Sequence, residues 1–105
     1  AFLFMYYVYI IWSQKLKRFY IGTTDHVIKR LEQHNTVVYD DSFTSKGIPW
    51  TLFLVINCSS SKQAYAVEKH IKQMKSSVYI RNLNQYPEMI EKLLVKYSWS
   101  QVQPR

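Results

Sequence analysis

Apolar positions along the chain follow strand spacing first and helical spacing later. Residues 5–12 (MYYVYIIW) are β-branched and aromatic almost without a break, which predicts a well-buried strand. The polar, basic stretch SQKLKR follows as a hairpin loop, and Phe19–Gly22 predicts a short second strand ended by glycine. So short a connection forces the two strands to be antiparallel. Thr23, Thr24 and Asp25 are helix N-cap candidates, and Val27, Leu31 and His34 recur at helical spacing, so a helix is expected over about 25–35. Residues 36–49 hold two acids, a glycine and a proline and are expected to form a loop. Trp50–Asn57 (WTLFLVIN) predicts the third strand. Ser60-Ser61-Lys62-Gln63 has the form of a capping box, opening a helix with an apolar stripe at Ala64, Val67, Ile71, Met74 and Val78. A shorter helical piece is expected near 76–83. Pro87 then suits the first turn of a last helix, with its stripe at Tyr86, Ile90, Leu93 and Tyr97.

The order β-β-α-β-α-α predicts an α/β (α+β) fold, a small three-stranded antiparallel sheet flanked by helices. A chain of 105 residues supports one domain, expected over 5–97, with 1–4 and 98–105 as terminal tails. Met5 is a candidate natural start, which would make Ala1–Phe4 a remnant of upstream sequence. The apolar run 1–12 is shorter than the roughly 20 residues that a membrane span needs. It also lacks the basic flank and small-residue cleavage site of a signal peptide. One cysteine, Cys58, excludes an internal disulfide and any multi-cysteine metal site. The expectation is a reduced, partly buried thiol in a cytoplasmic protein. Charge sharpens the choice of partner: 14 Lys and Arg against 7 Asp and Glu give +7. That excess favours a polyanion, nucleic acid before an anionic membrane surface. No zinc-finger, P-loop, GxGxxG or HExxH pattern is present.

Candidate chemistry gathers around the hairpin. Tyr9 and Tyr20 bracket it, and Tyr20-Ile21-Gly22 precedes the first helix, on which Arg30 and His34 lie one turn apart. On the capped helix Glu68 stands at the margin of the apolar stripe, with Lys72 one turn later. Taken singly, each has a plainer reading: Glu68 an ion pair with Lys72, Arg30 a solvated helix face, the tyrosines core residues, His34 a helix-end cap. His26 and His70 have no partner identifiable from spacing.

Together these residues resemble the GIY-YIG nuclease family. Tyr7-Val8-Tyr9 stands at the GIY triplet and Tyr20-Ile21-Gly22 matches YIG. The spacing to Arg30, His34 and a glutamate on a later helix agrees. The phrases YIGTTDHVIKRLEQHN, SFTSKGIPW and EKHIKQMK resemble the small stand-alone members, related to the nuclease modules of UvrC and of homing endonucleases. One departure is that Tyr7 replaces the glycine of GIY. The resemblance implies a DNA endonuclease hydrolysing phosphodiester bonds by water attack, with one divalent ion, Mg²⁺ or Mn²⁺. No helix in the sequence reads as a recognition helix, so selection by DNA structure rather than sequence is expected, in repair or recombination, with RNA as an open alternative partner. Implied catalytic residues are Tyr9, Tyr20, Arg30, His34 and Glu68, with Glu68 the metal ligand.

The residue chemistry is compatible with these roles. A carboxylate is a hard donor, and Mg²⁺ takes as few as one or two of them. Arg30 can fork onto phosphate oxygens and keeps its charge at any working pH. A phenol with an ordinary pKa near 10 needs help to act as a base at neutral pH. Tyr9 is the expected proton acceptor or water-orienting group, while Tyr20 shares that role or positions a phosphate. Lys15, Lys17 and Arg18 in the hairpin loop, Lys29, and Lys72 are expected to contact the nucleic-acid backbone, with Lys46, Lys69 and Lys75 nearby. Such contacts give salt-sensitive, sequence-independent binding. A non-catalytic nucleic-acid-binding module that kept the fold is the alternative, and a protein-interaction domain with a basic face is a third reading.

Overall fold

The computed structural model describes residues 5–36 and 42–98. Two strands come first, β1 (Tyr6–Ser13) and β2 (Arg18–Thr24), then helix α1 (Val27–His34). A single-turn helix α2 (Ser42–Lys46) precedes strand β3 (Trp50–Cys58). Helices α3 (Ser61–Met74), α4 (Ser77–Gln85) and α5 (Pro87–Lys96) complete the chain. The sheet has the order β2-β1-β3 and both pairings are antiparallel. The expected α+β architecture is therefore observed, with α2 added inside the stretch expected to be a loop.

β1 is the central strand, which explains its unbroken apolar run. Val8 and Ile10 face one core, with Ile56, Cys58 and the stripe Ala64, Val67 and Ile71 of α3. Ile80, Leu83 and Leu93 of α4 and α5 close that side. Tyr9 and Ile11 face the other, smaller core with Trp50, Val27 and Leu31. Alternation along one strand thus feeds two layers, α1 below the sheet and α3–α5 above it. A shift in register between Ile10 and Ile11, where Leu54 and then Leu52 are the partners on β3, marks a bulge at Phe53.

Gly22 does not end β2 as the sequence suggested. It lies inside the strand, directly opposite Tyr9. A Cβ at residue 22 would stand 2.5 Å from the Tyr9 hydroxyl oxygen, so the missing side chain is the space that the tyrosine ring occupies. The caps also differ from expectation. His26, rather than Thr23, Thr24 or Asp25, caps α1, its Nδ1 accepting from the Lys29 amide at 3.3 Å. At α3 the Ser60 hydroxyl accepts from the Gln63 amide (3.0 Å), as a capping box requires. In return Gln63 Oε1 accepts from the amide one residue further back, that of Ser59 (2.8 Å). Gln63 Nε2 also donates to the Leu94 carbonyl, tying α3 to α5. α3 stops at Met74 because Lys75 adopts a left-handed conformation, φ 49°. Met74 is therefore left exposed, and Val78, 64% exposed, belongs to α4 and not to the apolar stripe.

Candidate active site

Tyr9 sits at the middle of β1 and is only 2% exposed. α1 brings His34, its last residue, under the sheet, and the Tyr9 hydroxyl lies 2.7 Å from His34 Nε2. That helix end is fixed by its neighbour. Asn35 Nδ2 donates to the Trp50 carbonyl (2.9 Å) and Asn35 Oδ1 accepts from the Trp50 amide (2.6 Å). The Trp50 indole in turn donates to the Thr44 carbonyl of α2, at 2.7 Å. Tyr20 on β2 is half-buried beside this pair. Its ring centroid lies 6.4 Å from that of Tyr9 and 4.8 Å from that of His34. Phe43 and Trp50 close the other side of Tyr20, each about 6.1 Å away. Three of the five residues singled out from sequence, Tyr9, Tyr20 and His34, thus form one contact cluster.

The other two supply charge. Arg30 lies one turn before His34 on α1 and is exposed. Glu68 comes from α3, in the opposite layer, and its side chain is 18% exposed. Both fields reach the Tyr9 hydroxyl: Glu68 raises its pKa and Arg30 lowers it. Burial is the larger influence, followed by Tyr20, and the net result is a Tyr9 pKa well above the ordinary phenol value. Glu68 is bound by Lys72 Nζ at 2.7 Å, the i, i+4 pair visible in the sequence. No group of three or more His, Cys, Asp or Glu side chains converges among the described residues. A single half-buried carboxylate fits a hard dication that keeps most of its water shell, provided Lys72 gives way.

The cations expected to hold a backbone divide between two places. Lys29 on α1 and Lys72 on α3 lie on the same helices as Arg30 and Glu68. Lys15, Lys17 and Arg18 lie at the hairpin, four residues or more along β1 from Tyr9. The other histidines have structural partners: His26 is the cap of α1, and His70 Nδ1 lies 2.9 Å from the Tyr97 hydroxyl. Cys58 is free and fully buried, and burial pushes its thiol up to about 11. Asn35 and Trp50 were not singled out from sequence. The one available signal was an amide at the end of the expected helix, next to a candidate histidine. No helix among the described residues is long and apolar enough to cross a membrane. A model of the GIY-YIG catalytic domain matches residues 5–84 of the chain. No curated protein and no solved structure gives a match.

Proposed function

The chain belongs to the GIY-YIG family, and from that premise we propose that it is a divalent-metal-dependent DNA endonuclease that hydrolyses phosphodiester bonds. Its substrates are set by DNA structure rather than sequence, as in repair or recombination. The observation that carries the reading is the Tyr9–His34 contact of 2.7 Å, with Tyr20 packed against both and the charges of Arg30 and Glu68 felt at the Tyr9 oxygen.

That geometry supports a role for each residue. Burial keeps Tyr9 neutral at working pH, so a free phenolate is not the base. Its partner solves the problem. In the tautomer that leaves Nε2 unprotonated, Tyr9 can accept the proton of an attacking water while passing its own to His34. Arg30, exposed and permanently charged, forks onto the non-bridging oxygens and offsets charge that builds up there. Tyr20 orients the same phosphate from β2. Glu68 would hold the ion, with Lys72 turned to solvent or to a substrate phosphate. When bound, Mg²⁺ or Mn²⁺ supplies Lewis-acid stabilisation of the developing charge. The bond broken is P–O on the leaving side, the departing oxygen taking its proton from solvent, with inversion at phosphorus from a single in-line attack.

The Lys72–Glu68 ion pair favours one competing reading, a binding module whose carboxylate stays neutralised by lysine and never takes a metal. Glu68→Gln separates the two. It keeps side-chain size but removes the anionic oxygens. Nicking of supercoiled plasmid or branched oligonucleotides in Mg²⁺ or Mn²⁺ should fall at least about a hundredfold. DNA affinity should hold or rise slightly, because a negative charge leaves a positive surface. Arg30→Ala should weaken both binding and rate. Wild type that binds DNA yet never cuts, with or without added metal, establishes the binding module instead.

A further inference from the structure

The hairpin end of the sheet carries a cavity on the face turned away from Tyr9 and Tyr20. Trp12 and Phe19 are a cross-strand pair on β1 and β2, with ring centroids 4.7 Å apart. Arg81 of α4 lays its guanidinium over both, 5.7 Å from the Trp12 ring and 5.3 Å from that of Phe19. With Lys17, Arg18 and Lys75 it walls a cavity of about 380 Å³ to which no acidic side chain contributes. None of these four cations makes an ion pair among the described residues. The first turn of α4, which also borders the cavity, carries no acid either. Surfaces built for solubility intersperse charges of both signs. Four like charges on one small volume repel each other until an anion enters it.

The backbone points to the same place. Lys17 (φ 54°) and Lys75 (φ 49°) are the non-glycine residues with left-handed backbone among the described residues, and both line this cavity. Glycine adopts that conformation at no steric cost, whereas a side chain there is strained. Local strain of this kind concentrates at functional sites. The volume lies in the range of small-molecule pockets rather than of a single ion. Arg81 is already held by its two rings, so little ordering remains when it meets a phosphate.

We propose that this cavity binds a phosphodiester segment of the nucleic acid away from the scissile bond, with Lys75 and Arg81 as its main cations. The inference rests on the nucleic-acid reading above and extends it, giving the molecule a second grip on the other face of the sheet. The test titrates wild type, Lys75→Gly and Lys75→Gly/Arg81→Met with an oligothymidylate and, separately, with inorganic phosphate. The Trp12 indole N–H resonance is followed and the salt dependence is measured. Lys75→Gly removes the charge and relieves the left-handed strain, so its melting temperature should hold or rise while affinity falls severalfold. Methionine keeps an apolar cover over Trp12 and Phe19. The double variant should lose at least about tenfold in affinity and roughly 1.5 from the logarithmic salt slope, for two lost phosphate contacts. Inorganic phosphate should move the same resonance only at far higher concentration. Oligonucleotide binding that leaves the Trp12 signal still, or an unchanged affinity in Lys75→Gly and the double variant, overturns the site. So does inorganic phosphate binding as tightly as the oligonucleotide. Failure of wild type to bind any DNA overturns the nucleic-acid reading beneath it as well.

Discussion

At the scale of a residue, Tyr9 concentrates the problem. Its place on a strand was legible from the apolar run, and its spacing to Tyr20 marked it as chemical. The burial of that strand was legible too, but not what the ring meets inside it. Nothing in the sequence says that the ring fills the space left by Gly22, or that His34 arrives from below to meet its hydroxyl. That burial has a measurable consequence. The folded state holds the Tyr9 pKa above the ordinary phenol value, so folding favours the neutral form. This contribution is fully present below about pH 10, the unfolded value, and is lost as pH climbs toward the folded one. Tyr9→Phe should cost about 1–3 kcal/mol at pH 7, because His34 Nε2 loses its Tyr9 partner in a buried setting. Above pH 10 the gap should narrow. Wild type then loses up to about 1.4 kcal/mol per pH unit through this proton, and the variant does not. Denaturant unfolding of both proteins between pH 7 and 11 checks it, and a gap that stays constant removes the buried neutral phenol.

At the scale of an element, the three strands and the long helices followed from period and caps alone. Their ends did not. His26 as a cap, Gly22 inside a strand and Lys75 as a helix stop depend on which backbone groups lack partners, a tertiary matter. The docking of α1 shows the same limit. Its apolar residues Val27 and Leu31 predicted that it packs, but the clasp that sets its angle is Asn35 on the Trp50 backbone. Asn35→Ala removes both of its hydrogen bonds to the Trp50 backbone and should cost about 1–3 kcal/mol. Because His34 is the adjacent residue, cleavage should fall more than DNA affinity. Melting temperature, nicking rate and binding, taken on one preparation, decide whether the clasp positions chemistry or only stabilises the helix.

At the scale of the whole molecule, net charge was fully legible from composition, but its distribution was not. The sequence placed the hairpin trio Lys15, Lys17 and Arg18 around one centre, whereas the fold sets them at one end of the sheet with Arg81 beside two of them. Duplex affinity should fall steeply with salt and depend little on base sequence. Neutralising the trio should reduce the logarithmic slope by up to about one unit for each lost phosphate contact. An unchanged slope in a filter-binding or fluorescence titration takes the hairpin out of the interface.

The buried thiol gives the molecule a built-in clock. Cys58 is shielded on the last rung of β3, and its raised pKa leaves almost no thiolate at pH 8. A disulfide reagent therefore waits for the chain to open, and the labelling rate counts those openings. If β3 leaves only when the core above the sheet dissolves, that rate should rise with denaturant as steeply as global unfolding does. A shallow dependence would reveal a β3 end that frays alone. The readout needs no DNA, metal or catalysis, so folding damage in any of the variants above can be timed separately from chemistry.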